Sequence, residues 1–248
     1  MVPWDSDIFG FPVAQYRIGS ERIEESQLDA FRGSLLSWLN RNGVALCSCA
    51  IPAPRDFWRG YLPHAGFQFV DVGLQAALKG LQGAQLPPAR SKLRKAEPCD
   101  SGAIEAIAEG AFHHGRYHAD PRFPRELADR RYRRWVANAL AGTSTRDSVY
   151  VMGEPGRVLG FYHVTVEGPT SDLRLAALAL ELQGSGLGFD LYLAMLHVLK
   201  ELGIRRVVTS ISACNTAVMN VYSMLGFSFS EPEVIYHWHA PGTQPGLV

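Results

Sequence analysis

The chain has 248 residues, 47% of them hydrophobic, with 24 basic and 24 acidic side chains. That supplies enough apolar material for one large domain or two small ones and excludes an intrinsically disordered chain. A formal charge of zero gives no overall field to draw the protein to nucleic acid or an anionic membrane, and no uninterrupted apolar run reaches the length of a membrane span.

The opening residues, MVPWDSDIFG, lack a charged stretch followed by an apolar one, so a cytoplasmic location is expected. Within residues 4–12 the aromatics Trp4, Phe9 and Phe11 either pin the terminus into a core or line a pocket. Periodicity then predicts a strand over 13–18, an amphipathic helix over 24–39 closed by Asn42-Gly43, and a buried strand over 44–51. A helix over 55–64 and a strand or strand pair over 66–78 follow. Residues 82–90 (QGAQLPPAR) have the composition of a linker, because adjacent prolines disfavour both helix and central strand. The expected division is an N-terminal α/β domain over 1–85 and a second domain over 90–248.

In the second part a strand is expected over 91–98 and a helix from an N-cap at Ser101 to Phe112. A polar, aromatic loop over 113–124 precedes a helix over 125–140. The histidines and Asp120 of that loop show no tight ligand spacing on a defined element, so no metal is expected. Four cysteines, Cys47, Cys49, Cys99 and Cys214, form neither CxxC pairs nor a disulfide framework. A hairpin is predicted over 148–152 and 158–166, then a strand over 173–182, a helix over 189–202 and a strand over 206–212. A helix beginning near Asn215 and two closing strands around 227–229 and 234–238 complete the chain.

Between the strand over 173–182 and the helix after it lies QGSGLG, residues 183–188. Glycine permits positive φ and close backbone approach, and the free N–H groups at a helix start can converge on phosphate oxygens. The spacing is neither GxGxxG nor a P-loop, since no Lys-Ser/Thr pair follows. Gln183, Gly186 and Gly188 instead meet Gln/Arg-x-x-Gly-x-Gly/Ala. Downstream come Asn215 and Ala217, Tyr222, and Gly226-Phe227. Asn215 and Tyr222 are seven residues apart, close to two helical turns, and so project from nearly one face. Taken singly, Asn215 could be only an N-cap and Tyr222 only a core tyrosine.

Together and in this order the two motifs resemble the acyl-CoA region of the GNAT N-acyltransferase superfamily. The resemblance implies a mixed sheet with a parallel βαβ unit at the cofactor, acetyl-CoA as co-substrate, and a pyrophosphate held by Gln183, Gly184, Ser185, Gly186, Leu187 and Gly188. It further implies that backbone at Leu178, Ala179 and Leu180 binds the thioester and pantetheine, that this strand splays from its neighbour, that Asn215 takes part in cofactor binding, and that Tyr222 donates a proton to the departing sulfur. The opening Trp4-Asp5 to Phe9-Gly10 and the stretch from Ala111-Phe112 to Arg116-Tyr117 resemble the TDP-fucosamine acetyltransferase branch. On that analogy Arg116, Tyr117 and His118 border the acceptor, a nucleotide-linked 4-amino-4,6-dideoxy sugar, with an aminoglycoside, an amino acid or a non-catalytic acyl-CoA-binding role as alternatives. Glu167, His163, Asp172 and His237 are the candidate bases, none of them singled out. The expected partner is a small-molecule amine, with neither nucleic acid nor membrane, and a homodimer is left open.

Overall fold

The computed structural model describes residues 1–18, 24–54 and 56–242. Ten strands form one mixed sheet among these residues: β1 (Val13–Tyr16), β2 (Leu46–Pro52), β3 (Gln68–Lys79), β4 (Leu93–Lys95), β5 (Asp147–Glu154), β6 (Arg157–Glu167), β7 (Thr170–Leu178), β8 (Arg206–Ser212), β9 (Ser228–Phe229) and β10 (Glu233–His239). Their order is β1-β2-β10-β3-β8-β7-β6-β5-β4, with β9 paired to β3 beside that path. The helices are α1 (Pro3–Phe9), α2 (Leu28–Arg41), α3 (Asp56–His64), α4 (Ser101–Ala111), α5 (Arg116–Ala119), α6 (Arg125–Leu140), α7 (Leu187–Glu201) and α8 (Thr216–Met224). This is the expected α/β class, with a parallel β7/β8 pair set among antiparallel neighbours.

The sheet is continuous across the expected boundary at 82–90. β3 pairs with β8 from Gly73↔Ser212 to Lys79↔Arg206, and β10 lies between β2 and β3. Residues 82–90 are irregular, as their prolines require, but they lie along α7. Gln82 donates to the carbonyls of Lys200 and Ile204, Lys200 Nζ donates to Ala84 O, and Arg90 N–H donates to Asp190 Oδ1 at 2.6 Å.

Four apolar clusters are formed by the described residues. One joins α7 and α8 to a sheet face through Tyr162, Leu191, Met195, Val207 and Tyr222. On the opposite face Ile104, Ala108, Val136, Phe161 and Leu175 join α4 and α6 to the strands. α2 and α3 cover β2 and β10 through Leu39, Trp58, Leu62 and Trp238. Phe9, Val13, Tyr117 and Phe123 fix α1 against the α4–α6 connection.

Several local readings change. Residues 3–9 are helical because Pro3 can occupy the first turn and Gly10, at φ +77°, provides a left-handed stop. The long strand over 66–78 is single, β3, and Arg55, expected to open α3, lies outside the described residues. Asp100 rather than Ser101 caps α4: Pro98–Asp100 forms a 3-10 turn whose ends are closed by reciprocal Glu97 and Asp100 hydrogen bonds. The strand expected over 173–182 stops at Leu178, and Leu180–Leu182 turns as a 3-10 segment before the glycines.

Candidate active site

β7 and β8 begin as a parallel pair, Thr170↔Arg206, Ser171↔Val207 and Asp172↔Val208, and then separate. At the vertex Thr209 Oγ1 donates to Leu173 O at 2.9 Å, so a side chain takes over where the ladder ends. Tyr222 on α8 points its hydroxyl at the same Thr209 Oγ1, 3.5 Å away. Its ring is 4% exposed and meets Tyr192 edge-on and Phe227 obliquely, with centroids 5.2 and 4.8 Å away. Burial pushes its phenol above its ordinary pKa, and the Thr209 hydroxyl opposes that only in part. It is therefore protonated at neutral pH and can act as an acid. Tyr162, fully buried in the same cluster, has a hydroxyl with no hydrogen-bond partner among the described residues.

The glycine turn stands at the open end of this gap. Gly184 and Gly186 adopt φ +78° and +84°, and Gly186 is the N-cap of α7. Ser185 Oγ donates to Leu182 O at 2.6 Å and accepts from Leu187 N–H at 3.3 Å, which shapes the turn. The N–H groups of Gly184 and Gly186 meet no backbone acceptor among the described residues, and a Cβ built at Gly184, Gly186 or Gly188 would meet nothing within 4 Å. Open backbone amides at the start of a long helix favour an anion. Leu178 and Ala179 are buried and Leu180 is 72% exposed; Ala179 N–H is taken by Leu159 O at 2.9 Å, so it is engaged within the protein. Beside this segment runs a groove of about 380 Å³, walled by Ala106, Ile107 and Gly110 of α4 and by Ala179, Leu180 and Gln183. Asn215 caps α8, its Oδ1 accepting from Val218 N–H at 3.3 Å.

Arg116, Tyr117 and His118 make up most of α5, on the other side of the sheet from α8. Tyr117 is 3% exposed and donates its hydroxyl to Asp5 Oδ2 at 2.7 Å, while Arg131 Nε donates to Asp5 Oδ1 at 2.7 Å. Arg116 donates to the Tyr117 hydroxyl at 3.1 Å and stays partly exposed. The Arg131 guanidinium lies over the rings of Trp4 and Trp135 at 4.8 and 5.1 Å. His118 Nε2 lies 2.7 Å from Asp129 Oδ1. The segment around Trp4 and the α4–α6 connection thus meet, and of the three expected acceptor residues Arg116 alone keeps a partly open polar end. The signal for Asp5 and Arg131 is slight in the sequence, since each is one charge among many and their pairing spans 126 positions.

The candidate bases separate by position. Glu167 is exposed and paired with Arg146 at 3.1 Å. His237 is fully buried, its Nδ1 2.8 Å from Asp120 Oδ2, and burial pushes its pKa down to about 4. His163 lies against Trp135, its pKa lowered by burial. Asp172 is the last β7 residue still paired to β8; its Oδ2 accepts from Arg174 at 2.6 Å, and its charge reaches the Tyr222 hydroxyl. Among the described residues, two groups bring three metal-capable atoms together: His113, His118 and Asp129, and Asp120, His237 and His239. In the second, one carboxylate oxygen meets both imidazoles at 2.8 and 2.7 Å and the other accepts Arg122 N–H, so the protein's own hydrogen bonds occupy it.

Residues 112–227 match the sequence pattern of the Acetyltransferase (GNAT) family, a span that contains α5, the glycine turn, Asn215 and Tyr222. A mycothiol acetyltransferase of Nocardia farcinica is 35% identical over 118 residues, 45% of this chain and 37% of that protein, so the chain spans little more than a third of that relative's length. A GCN5-related N-acetyltransferase from Sphaerobacter thermophilus superposes with a TM-score of 0.66 at 16% identity, covering 93% of this chain and 75% of that one. A tandem GNAT protein from the clavulanic acid biosynthesis pathway gives 0.58 at 18% identity over 92% and 76% of the two chains. The chain therefore has the fold of these GNAT proteins, and its residues 112–227 match the pattern of the GNAT acetyltransferase family.

Proposed function

We propose that the chain transfers an acetyl group from acetyl-CoA to a primary amine of a small molecule. The observation that carries this reading is the parting of β7 and β8 beside Tyr222, with the open amides of Gly184 and Gly186 at the wide end of the gap. Acetyl-CoA lies with its pyrophosphate on Gly184, Ser185, Gly186, Leu187 and Gly188, beside Gln183, and its pantetheine enters past Leu178, Ala179 and Leu180. Of those three, Leu180 supplies an N–H with no backbone acceptor of its own among the described residues. Asn215, in holding the start of α8, positions Tyr222.

At the vertex Asp172 takes a proton from the acceptor ammonium, and the neutral amine attacks the thioester carbonyl. A backbone N–H stabilises the oxyanion. Collapse breaks the carbon–sulfur bond as Tyr222 gives its proton to the departing thiolate; the extra proton on the new amide nitrogen restores the Tyr222 phenol through solvent, and Asp172 releases its proton to water, yielding an N-acetyl product and CoA. Arg116, with Tyr117 and His118 behind it, borders the acceptor. No helix among the described residues is long and apolar enough to cross a membrane; a cytoplasmic location is part of this proposal.

Two acceptors compete within it: a nucleotide-linked amino sugar, suggested by the N-terminal sequence, and the acceptor of the mycothiol acetyltransferases, suggested by the relatives. Release of free CoA thiol from acetyl-CoA should be followed against both, a free amino sugar and an aminoglycoside. Tight acetyl-CoA binding with no thiol release on any amine would replace the enzyme by an acyl-CoA-binding protein.

A further inference from the structure

β3 contributes a carboxylate with which no basic side chain of the described residues forms a direct ion pair. Asp71 is 4% exposed. Its Oδ1 is fixed, accepting from Ser212 Oγ at 2.7 Å and from Val72 N–H at 2.8 Å. Its Oδ2 accepts no hydrogen bond among the described residues, yet it is not one of the unpaired atoms sealed from solvent. Neither nearby basic group is bonded to it: Arg116 turns to the Tyr117 hydroxyl and Asp5, and His114 makes no hydrogen bond to Asp71. Burial raises the Asp71 pKa, against the pull of the Ser212 hydroxyl, the Val72 N–H, His114 and Arg116. A carboxylate held in a low-dielectric place with one oxygen open and no cation in contact is costly to keep, unless a ligand supplies the missing partner.

Its place fits an acceptor. α5 packs on β3, so Asp71 lies on the side of the sheet that carries Arg116, and Tyr132 is close enough to feel its charge. Ser212, which holds Asp71, is three residues beyond Thr209 on β8. At about 3.3 Å per strand residue, Asp71 stands roughly 10 Å from the vertex where the proposed chemistry occurs. The residue also lies outside the span that matches the family pattern.

We propose that Asp71 is a specificity-determining residue, its free oxygen receiving a second cationic nitrogen of the acceptor about 10 Å from the amine that is acetylated. This rests on the acetyltransferase reading for the identity of the first amine, and it disfavours a diphosphate at the same place. The test compares heptylamine with diaminoheptane, which differ only in a second ammonium at about that spacing. Binding of each is measured by calorimetry in the presence of CoA, for the parent, for Asp71→Asn and for Ser212→Ala. The Asn side chain keeps an oxygen for Ser212 and Val72, and acetyl-CoA affinity equal to the parent's establishes that the variant is folded.

The parent should bind the diamine at least about tenfold more tightly than the monoamine. Asp71→Asn should erase that preference, while Ser212→Ala, which keeps the carboxylate, should retain it. Equal binding of the two amines by the parent, or a preference surviving in Asp71→Asn, overturns the assignment. Thiol release is followed separately: if neither amine is acetylated, nor any other, the enzyme reading fails while the binding comparison still decides the role of Asp71.

Discussion

Burial holds the Tyr222 phenol above its ordinary pKa, and this decides which way it can move a proton. Tyr222→Phe removes the donor and one long hydrogen bond but leaves Thr209 bonded to Leu173 O. We expect the chemical step in single-turnover kinetics to slow by ~10²–10⁴-fold with acetyl-CoA affinity unchanged; an unaltered rate would return Tyr222 to a packing role. His237 gives a second prediction, about pH. Its folded pKa is pushed down to about 4, below the ~6.5 of an exposed imidazole. The unfolded chain therefore takes up this proton first, and the native state loses stability as pH falls from about 6.5 towards 4. His237→Gln should flatten the decline in Tm over that window, leaving the smaller share due to His118 and His163, whose pKa values burial also lowers. A slope identical to the parent's would show that His237 is not held neutral. Tyr222 is marked in the sequence by its distance from Asn215, whereas Asp71 and Asp120 are not. Their meaning comes from partners 141 and 117 positions away, which no local pattern carries.

At the scale of elements, the sequence places most helices and strands because each carries its own period, and it misses where the cause is a boundary. α6 has the expected bounds of 125–140, and β8 those of 206–212. By contrast α1 is hidden by its shortness and its aromatics, and the end of β7 by a continuing apolar run whose last residues turn to face the groove. The glycine turn is legible because its requirement is local: two positive φ angles immediately before a helix. Its glycines differ in what they tolerate. At Gly186 any side chain is strained by the left-handed backbone, whereas Gly188 has ordinary helical geometry and open space. Gly188→Val should therefore fold with little change in Tm yet weaken acetyl-CoA binding at least about tenfold, by obstructing close approach of the pyrophosphate. Calorimetry with parental affinity in Gly188→Val would remove the turn from the cofactor site.

For the whole molecule, the linker composition at 82–90 and the continuous sheet pull apart. We propose that 1–85 and 90–248 are units of sequence whose stability is shared. The reason lies in β10, which pairs with β2 from Glu233↔Pro52 to His239↔Leu46 and with β3 on its other edge, while Tyr236 and Trp238 pack among the residues of α2 and α3. None of those neighbours belongs to 90–248. β8 would also lose β3 and become an open edge next to the gap, and an unpaired apolar strand beside a second one is a template for association. Residues 90–248 expressed alone should therefore lack a cooperative melting transition and bind acetyl-CoA weakly, and co-expression with 1–85 should restore both. A 90–248 fragment that is monomeric, melts cooperatively and binds acetyl-CoA as the full chain does would make the second unit independent, with β10 a late addition to its edge.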